Sequence, residues 1–266
     1  MTAVLYEKSG RIVTLTLNRA ETRNALSSDV IDALVDGLRQ ANADESVSCV
    51  LIAGAGPGFS SGGNLHELRS LTTTKKLRRP EIEEWYRSGI QRIPATFNSI
   101  DVVTIAAVHG HAIGAGCDLA AMCDLRIAAT NASFAESFVR VGLISGDGGA
   151  WFLPRVIGLA RAREMMLTAQ PVDAAKALSW GLVNAVVEKD RLMDAARDVA
   201  EQIASQPPNA LRASKQLFRS IENLDLEGSL KIAATFQAML QVQPDHLEAI
   251  DSILEKRTPR FTGSFS

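Results

Sequence analysis

The chemistry-bearing residues concentrate first in Ile105-Ala-Ala-Val-His-Gly-His-Ala-Ile-Gly-Ala-Gly-Cys-Asp118, where a β-branched apolar run meets a glycine-rich turn. That turn opens a short apolar helix carrying one carboxylate, Asp118. Glycines let the backbone approach a ligand closely, and the first amides of a helix point outward unpaired. Such amides suit negative charge developing on oxygen, and Asp118 suits proton transfer. A second small-residue turn, Phe59-Ser-Ser-Gly-Gly-Asn-Leu65, also precedes a helix, and Gly62 and Gly63 leave the Gly63 amide accessible. Two such loops could aim two N–H groups at one oxygen, an oxyanion hole worth about 3 kcal/mol or more at a transition state. A third candidate is Gly142-Leu-Ile-Ser-Gly-Asp-Gly-Gly149. Its Asp147 begins a helix, so it is either an N-cap or a carboxylate free to approach a substrate.

Other motifs carry less. Cys49-Val-Leu-Ile-Ala-Gly-Ala-Gly-Pro-Gly58 runs a buried strand into glycines, but Phe59 occupies the last position of the GxGxxG pattern and no Walker lysine follows. His109 and His111 lack a third ligand at useful spacing, so they read as structural and no metal is expected. Lys75-Lys76-Leu77-Arg78-Arg79 is a solvated basic face or a flap for an anionic ligand. The chain has 266 residues with a net charge of −2, which argues against general nucleic-acid binding. Cys49, Cys117 and Cys123 show no CxxC spacing and read as buried thiols of a reducing compartment. No signal peptide or apolar run of about 18 residues is evident, so a cytoplasmic protein without membrane contact is expected.

The elements that must position these groups follow from periodicity. Residues 4–17 read as a β-hairpin turning at Ser9-Gly10. Ser27-Ser28-Asp29 caps a helix to about residue 41, and strands are expected at 48–53, 102–108, 125–129 and 182–187. One helix is expected over 81–98, with a polar connector before it. From 191 to 256 the pattern is helical, broken at Pro207-Pro208 and Pro244. Strands alternating with helices predict an α/β core with a largely parallel sheet, assigned to 1–190, and a helical region over 191–266.

Three segments in order, Asn18-Arg-Ala-Glu-Thr-Arg-Asn-Ala-Leu26, Gly58-Phe-Ser-Ser-Gly-Gly-Asn-Leu65 and Ala106 to Asp118, resemble the signatures of the crotonase superfamily, the enoyl-CoA hydratase/isomerase family. Cys123 to Ala129, Leu153 to Gly158, Ala174 to Val183 and Lys256 to Phe261 extend the resemblance along the chain. It implies a crotonase-like spiral of ββα units, a helical C-terminal trimerisation region, and a homotrimer or dimer of trimers. It implies an acyl-CoA thioester as substrate, with coenzyme A part of that substrate and no separate cofactor. By motif position the oxyanion amides are those of Gly63 and Ala115. Substrate and CoA contacts fall on Arg23, Ala25, Leu26, Ser61, Asn64, Leu65, His66 and Phe138.

Of the family's two hydratase glutamates, the first maps onto Asp118 and the second onto Phe138, so that acid is missing. The Gly-Asp-Gly-Gly sequence resembles members in which a loop aspartate acts, which assigns Asp147 a catalytic role beside Asp118. The expected function is hydration of a 2-enoyl-CoA. The alternatives are double-bond isomerisation by one carboxylate, C–C hydrolysis of a β-diketone type, or a non-catalytic acyl-CoA- or RNA-binding paralogue.

Overall fold

The computed structural model describes residues 2–263, so the extreme ends of the two expected regions lie outside it. The chain opens with the antiparallel hairpin β1 (Val4–Ser9) and β2 (Ile12–Leu17). Helix α1 (Ser28–Ala43) follows, and its buried Val30, Ile31, Leu34, Val35, Leu38 and Ala41 form one stripe at helical spacing. Strand β3 (Cys49–Gly54), α2 (Leu65–Thr73), α3 (Arg79–Ser88), α4 (Arg92–Ser99) and β4 (Val103–Val108) come next. Then follow β5 (His111–Ile113), α5 (Ala115–Met122), β6 (Leu125–Ala129) and β7 (Ser133–Ala135). After a single turn at 138–141 come α6 (Gly149–Ile157), α7 (Leu159–Thr168), β8 (Val172–Asp173), α8 (Ala174–Ser179) and β9 (Ala185–Val187). Helices α9 (Leu192–Ala204), α10 (Pro208–Ile221), α11 (Leu226–Gln241) and α12 (Pro244–Glu255) complete the described chain.

The main sheet has the order β1-β2-β3-β4-β6-β9, parallel except for the first hairpin, and a smaller sheet joins β5, β7 and β8. The β3 run is apolar throughout because both of its faces are covered. On β3, Val50 and Ile52 face α1, α4 and α5, whereas Cys49, Leu51 and Ala53 face Leu192, Ala196 and Ala200 of α9. The helical region thus begins by closing the second face of the sheet. Pro208 and Pro244 both sit in the first turn of a helix, where a missing N–H costs nothing. The helix expected over 81–98 is two helices, α3 and α4. Gly89 breaks the ladder between them, with φ −103° and ψ −111°, outside helical geometry.

Candidate active site

The two glycine loops meet backbone to backbone. Ser60 N–H donates to His111 O at 2.9 Å, and Ile113 N–H donates to Ser60 O at 3.0 Å. No side chain fits between them. A methyl group on Gly62 would lie 2.3 Å from Ile113 O and 3.3 Å from Ala115 N, and Gly62 also has φ +84°. One on Gly116 would lie 2.6 Å from Ser60 O. The chain leaves β5 through Gly114 and enters α5 at Ala115, whose amide is the first of the helix. The N–H groups of Gly63 and Ala115 donate to no other described residue. Both residues line the same cavity.

Asn24 braces this arrangement from a left-handed position, φ +55°. Its Nδ2 donates to Ala55 O at 2.8 Å and Gly58 O at 2.9 Å. Leu26 N–H donates to Gly62 O at 2.8 Å, and Ser61 N–H to Arg23 O at 2.9 Å. The 23–26 segment and the 58–63 loop are therefore one hydrogen-bonded unit.

The cavity measures about 650 Å³. Leu26, Trp85, Tyr86, Ile90, Phe138 and Leu143 supply an apolar wall, and the one cation lining it among the described residues, Arg87, pairs with Glu83 at 2.6 Å. Asp147 lies on this wall, 7% exposed. Burial, and then the charge of Asp118, raises its pKa to about 7. Tyr86 shares the neighbourhood: burial first, then the charge of Asp147, raises its hydroxyl above the ordinary tyrosine value.

Asp118 is elsewhere. It is fully buried and absent from the cavity wall, behind the turn that precedes α6. Its Oδ2 accepts from Ser145 Oγ at 3.0 Å, and the Gly149 N–H is directed at the same carboxyl. A methyl group on Gly149 would fall 1.7 Å from Asp118 Oδ1. Against Asp118 lies a third acid, Glu136, 1% exposed, at the end of β7. Burial, and then the charge of Glu136, drives the Asp118 pKa far above the carboxylate range; burial raises Glu136 as well. Glu136 was missed in the sequence. The available signal was strand alternation, since Glu136 stands two residues after the buried Phe134 and shares its inward direction.

The cavity brings together Leu26, Ser61, Gly63, Asn64, Leu65, Ala115, Phe138 and Asp147 of the expected site residues. It does not include Asp118, Arg23, Ala25 or His66. Arg23 and His66 are exposed and Ala25 is buried outside the cavity wall. Asn64 caps α2, accepting from His66 N–H at 3.0 Å and Glu67 N–H at 3.3 Å. His109 Nε2 sits 3.0 Å from Gly56 O, and His111 is exposed on β5. No helix among the described residues is long and apolar enough to cross a membrane.

The family profile described as enoyl-CoA hydratase/isomerase matches residues 7–264. The 1,2-epoxyphenylacetyl-CoA isomerase of Escherichia coli is 34% identical over 99% of both chains. The short-chain-enoyl-CoA hydratase of Clostridium acetobutylicum is 32% identical, over 96% of this chain and 95% of its own. A crystal structure of enoyl-CoA hydratase from Mycobacterium smegmatis superposes with a TM-score of 0.89 at 34% identity, covering 97% of this chain and 98% of that one.

Proposed function

This chain is an enzyme of the enoyl-CoA hydratase/isomerase family, and we propose that it adds water across the Cα=Cβ bond of a 2-enoyl-CoA thioester. The observation that carries this reading is the pairing of two unused amides, Gly63 and Ala115, with one carboxyl, Asp147, on a shared wall. The thioester oxygen accepts from both amides. Asp147, as carboxylate, takes a proton from water while the water oxygen bonds to Cβ, and the alkene electrons move onto the thioester oxygen as an enolate. Protonated Asp147 then returns that proton to Cα and the enolate collapses, so one water is consumed and the carboxylate is restored. A pKa of about 7 suits a group that must accept and return a proton near neutrality.

The apolar wall, with Arg87 neutralised by Glu83, supports an uncharged acyl group rather than one ending in a carboxylate. Leu26, Asn64 and Leu65 support a CoA path along the 23–26 segment and the start of α2. Assembly as a homotrimer or dimer of trimers belongs to the same proposal, as does residence in a reducing compartment, which three buried unpaired thiols suit. Crotonyl-CoA turnover, followed by loss of enoyl absorbance, tests the reaction. Absence of turnover in folded protein removes it.

Double-bond isomerisation is the second reading, favoured by the single buried carboxyl among the described residues of the cavity wall and by the name of the Escherichia coli relative. A 3-enoyl-CoA converted to its 2-enoyl isomer without water uptake, with no hydration of crotonyl-CoA, selects it.

A further inference from the structure

Asp118 and Glu136 form a closed pair behind the site. Neither oxygen of Glu136, nor Asp118 Oδ1, accepts from an N–H or O–H donor among the described residues. What faces them is each other and the Cys117 thiol. Two carboxylates left ionised and unpaired there would be disfavoured by both desolvation and mutual repulsion. One proton between them removes the repulsion and one of the two buried charges, turning a repulsive contact into a hydrogen bond.

The backbone shows what this pair holds. Gly114 N–H donates to Ala135 O at 2.7 Å, fixing the end of β7 against the start of α5. Glu136 is the next residue. On the far side, Asp118 Oδ2 receives the Ser145 hydroxyl, and Ser145 Oγ accepts from Ala150 N–H at 3.1 Å. Asp118 thus ties both ends of the 145–150 turn, and Asp147 projects from that turn into the cavity.

We propose that Glu136 is a positioning residue: it shares a single proton with Asp118, and this acid pair anchors the turn that presents Asp147 to the substrate. Asp118 acts through the turn rather than on the reacting carbons. The titratable groups facing the pair are Cys117 on α5 and Asp147 on the turn, with Tyr86 beyond Asp147. This role rests on Asp147 being the acting carboxyl.

Two measurements test it. In Glu136→Gln the amide can donate to Asp118 and keep the anchor, whereas Glu136→Leu cannot. Glu136→Leu should lose about 10²-fold in kcat with KM within about threefold, and its acid limb in kcat/KM should move from that of the wild type. Glu136→Gln should recover most of the rate. Equal loss in both variants, or an unmoved acid limb in Glu136→Leu, overturns the proposal.

The second measurement is infrared titration of the carboxyl C=O stretch, which needs no turnover and so separates failure of this inference from failure of the proposed reaction. At about pH 8 wild-type protein should retain a protonated-carboxyl band, and in Glu136→Gln that band should shift in frequency or vanish, because its proton no longer lies between two carboxyls. A wild-type protein with no such band, or a band unmoved in Glu136→Gln, overturns the shared proton.

Discussion

Asp147 is an acid held on an apolar wall, and that placement has consequences for rate and for stability. Asp147→Asn should lower turnover by about 10²- to 10⁴-fold with the fold intact by circular dichroism. In wild-type enzyme kcat/KM should rise as pH passes through about 7, because the carboxylate is the base. Stability runs the other way. The folded pKa is about 7 against an ordinary 3.8, so between those values the native state keeps a proton that the unfolded chain has released. Unfolding free energy should therefore fall as pH rises from about 4 to about 7, by on the order of 2–4 kcal/mol, and level off above. Denaturant titrations at several pH values should show a shallower slope in Asp147→Asn; an unchanged slope means that Asp147 is not the proton-holding group. Gly63 and Asp147 were legible because glycine turns and a lone acid stand out in a sequence, and Ala115 through its position in the family motif. Glu136 was not, because an acid after a three-residue strand looks like any polar loop residue, and its burial is decided by partners on α5 and the 145–150 turn.

At the scale of elements, two loops and a helix start have to meet without side chains between them. Gly62→Ala forces a methyl group to 2.3 Å from Ile113 O at a φ of +84°, so the loop must shift away from Ala115. We expect about a 10²- to 10³-fold loss in kcat with little change in KM for CoA-bearing ligands, measured in steady state. Wild-type kcat in Gly62→Ala would mean that the two amides do not act together. The hairpin, α1 and the strands of the main sheet were readable from alternation, apolar runs and helical spacing, whereas the short β5, β7 and β8 were not. The break between α3 and α4 was not read, although Gly89 and Pro94 both mark it, since apolar residues continue through it. Helix α3 carries Trp85 and Tyr86 of the acyl wall and the break after it carries Ile90, so the least legible stretch is the one that lines the acyl path.

For the whole molecule, α9 finishes the core, while α11 and α12 present Leu226, Leu230, Leu247, Ile253 and Leu254 to solvent in the single chain. Apolar exposure on that scale is what a subunit interface looks like before assembly. Light scattering should give three or six times the chain mass, and Leu230→Glu with Ile253→Glu should lower it. A monomeric wild type rejects the trimer. The parallel core was foreseeable from apolar runs alternating with helices, but the extent to which the helical region belongs to that core was not, because most of the fully buried contact of α9 is made by small residues, Ala196 and Ala200, beside Leu192.

The seam between the 58–63 loop and β5 consists of peptide groups alone, and the acids hang from other segments: α5, the end of β7 and the turn before α6. Carbonyl recognition is thereby insulated from side-chain change. An acid can be lost, shortened or relocated by a single codon while the amide pair stays where it is, so new reactivity can be tried on an old grip.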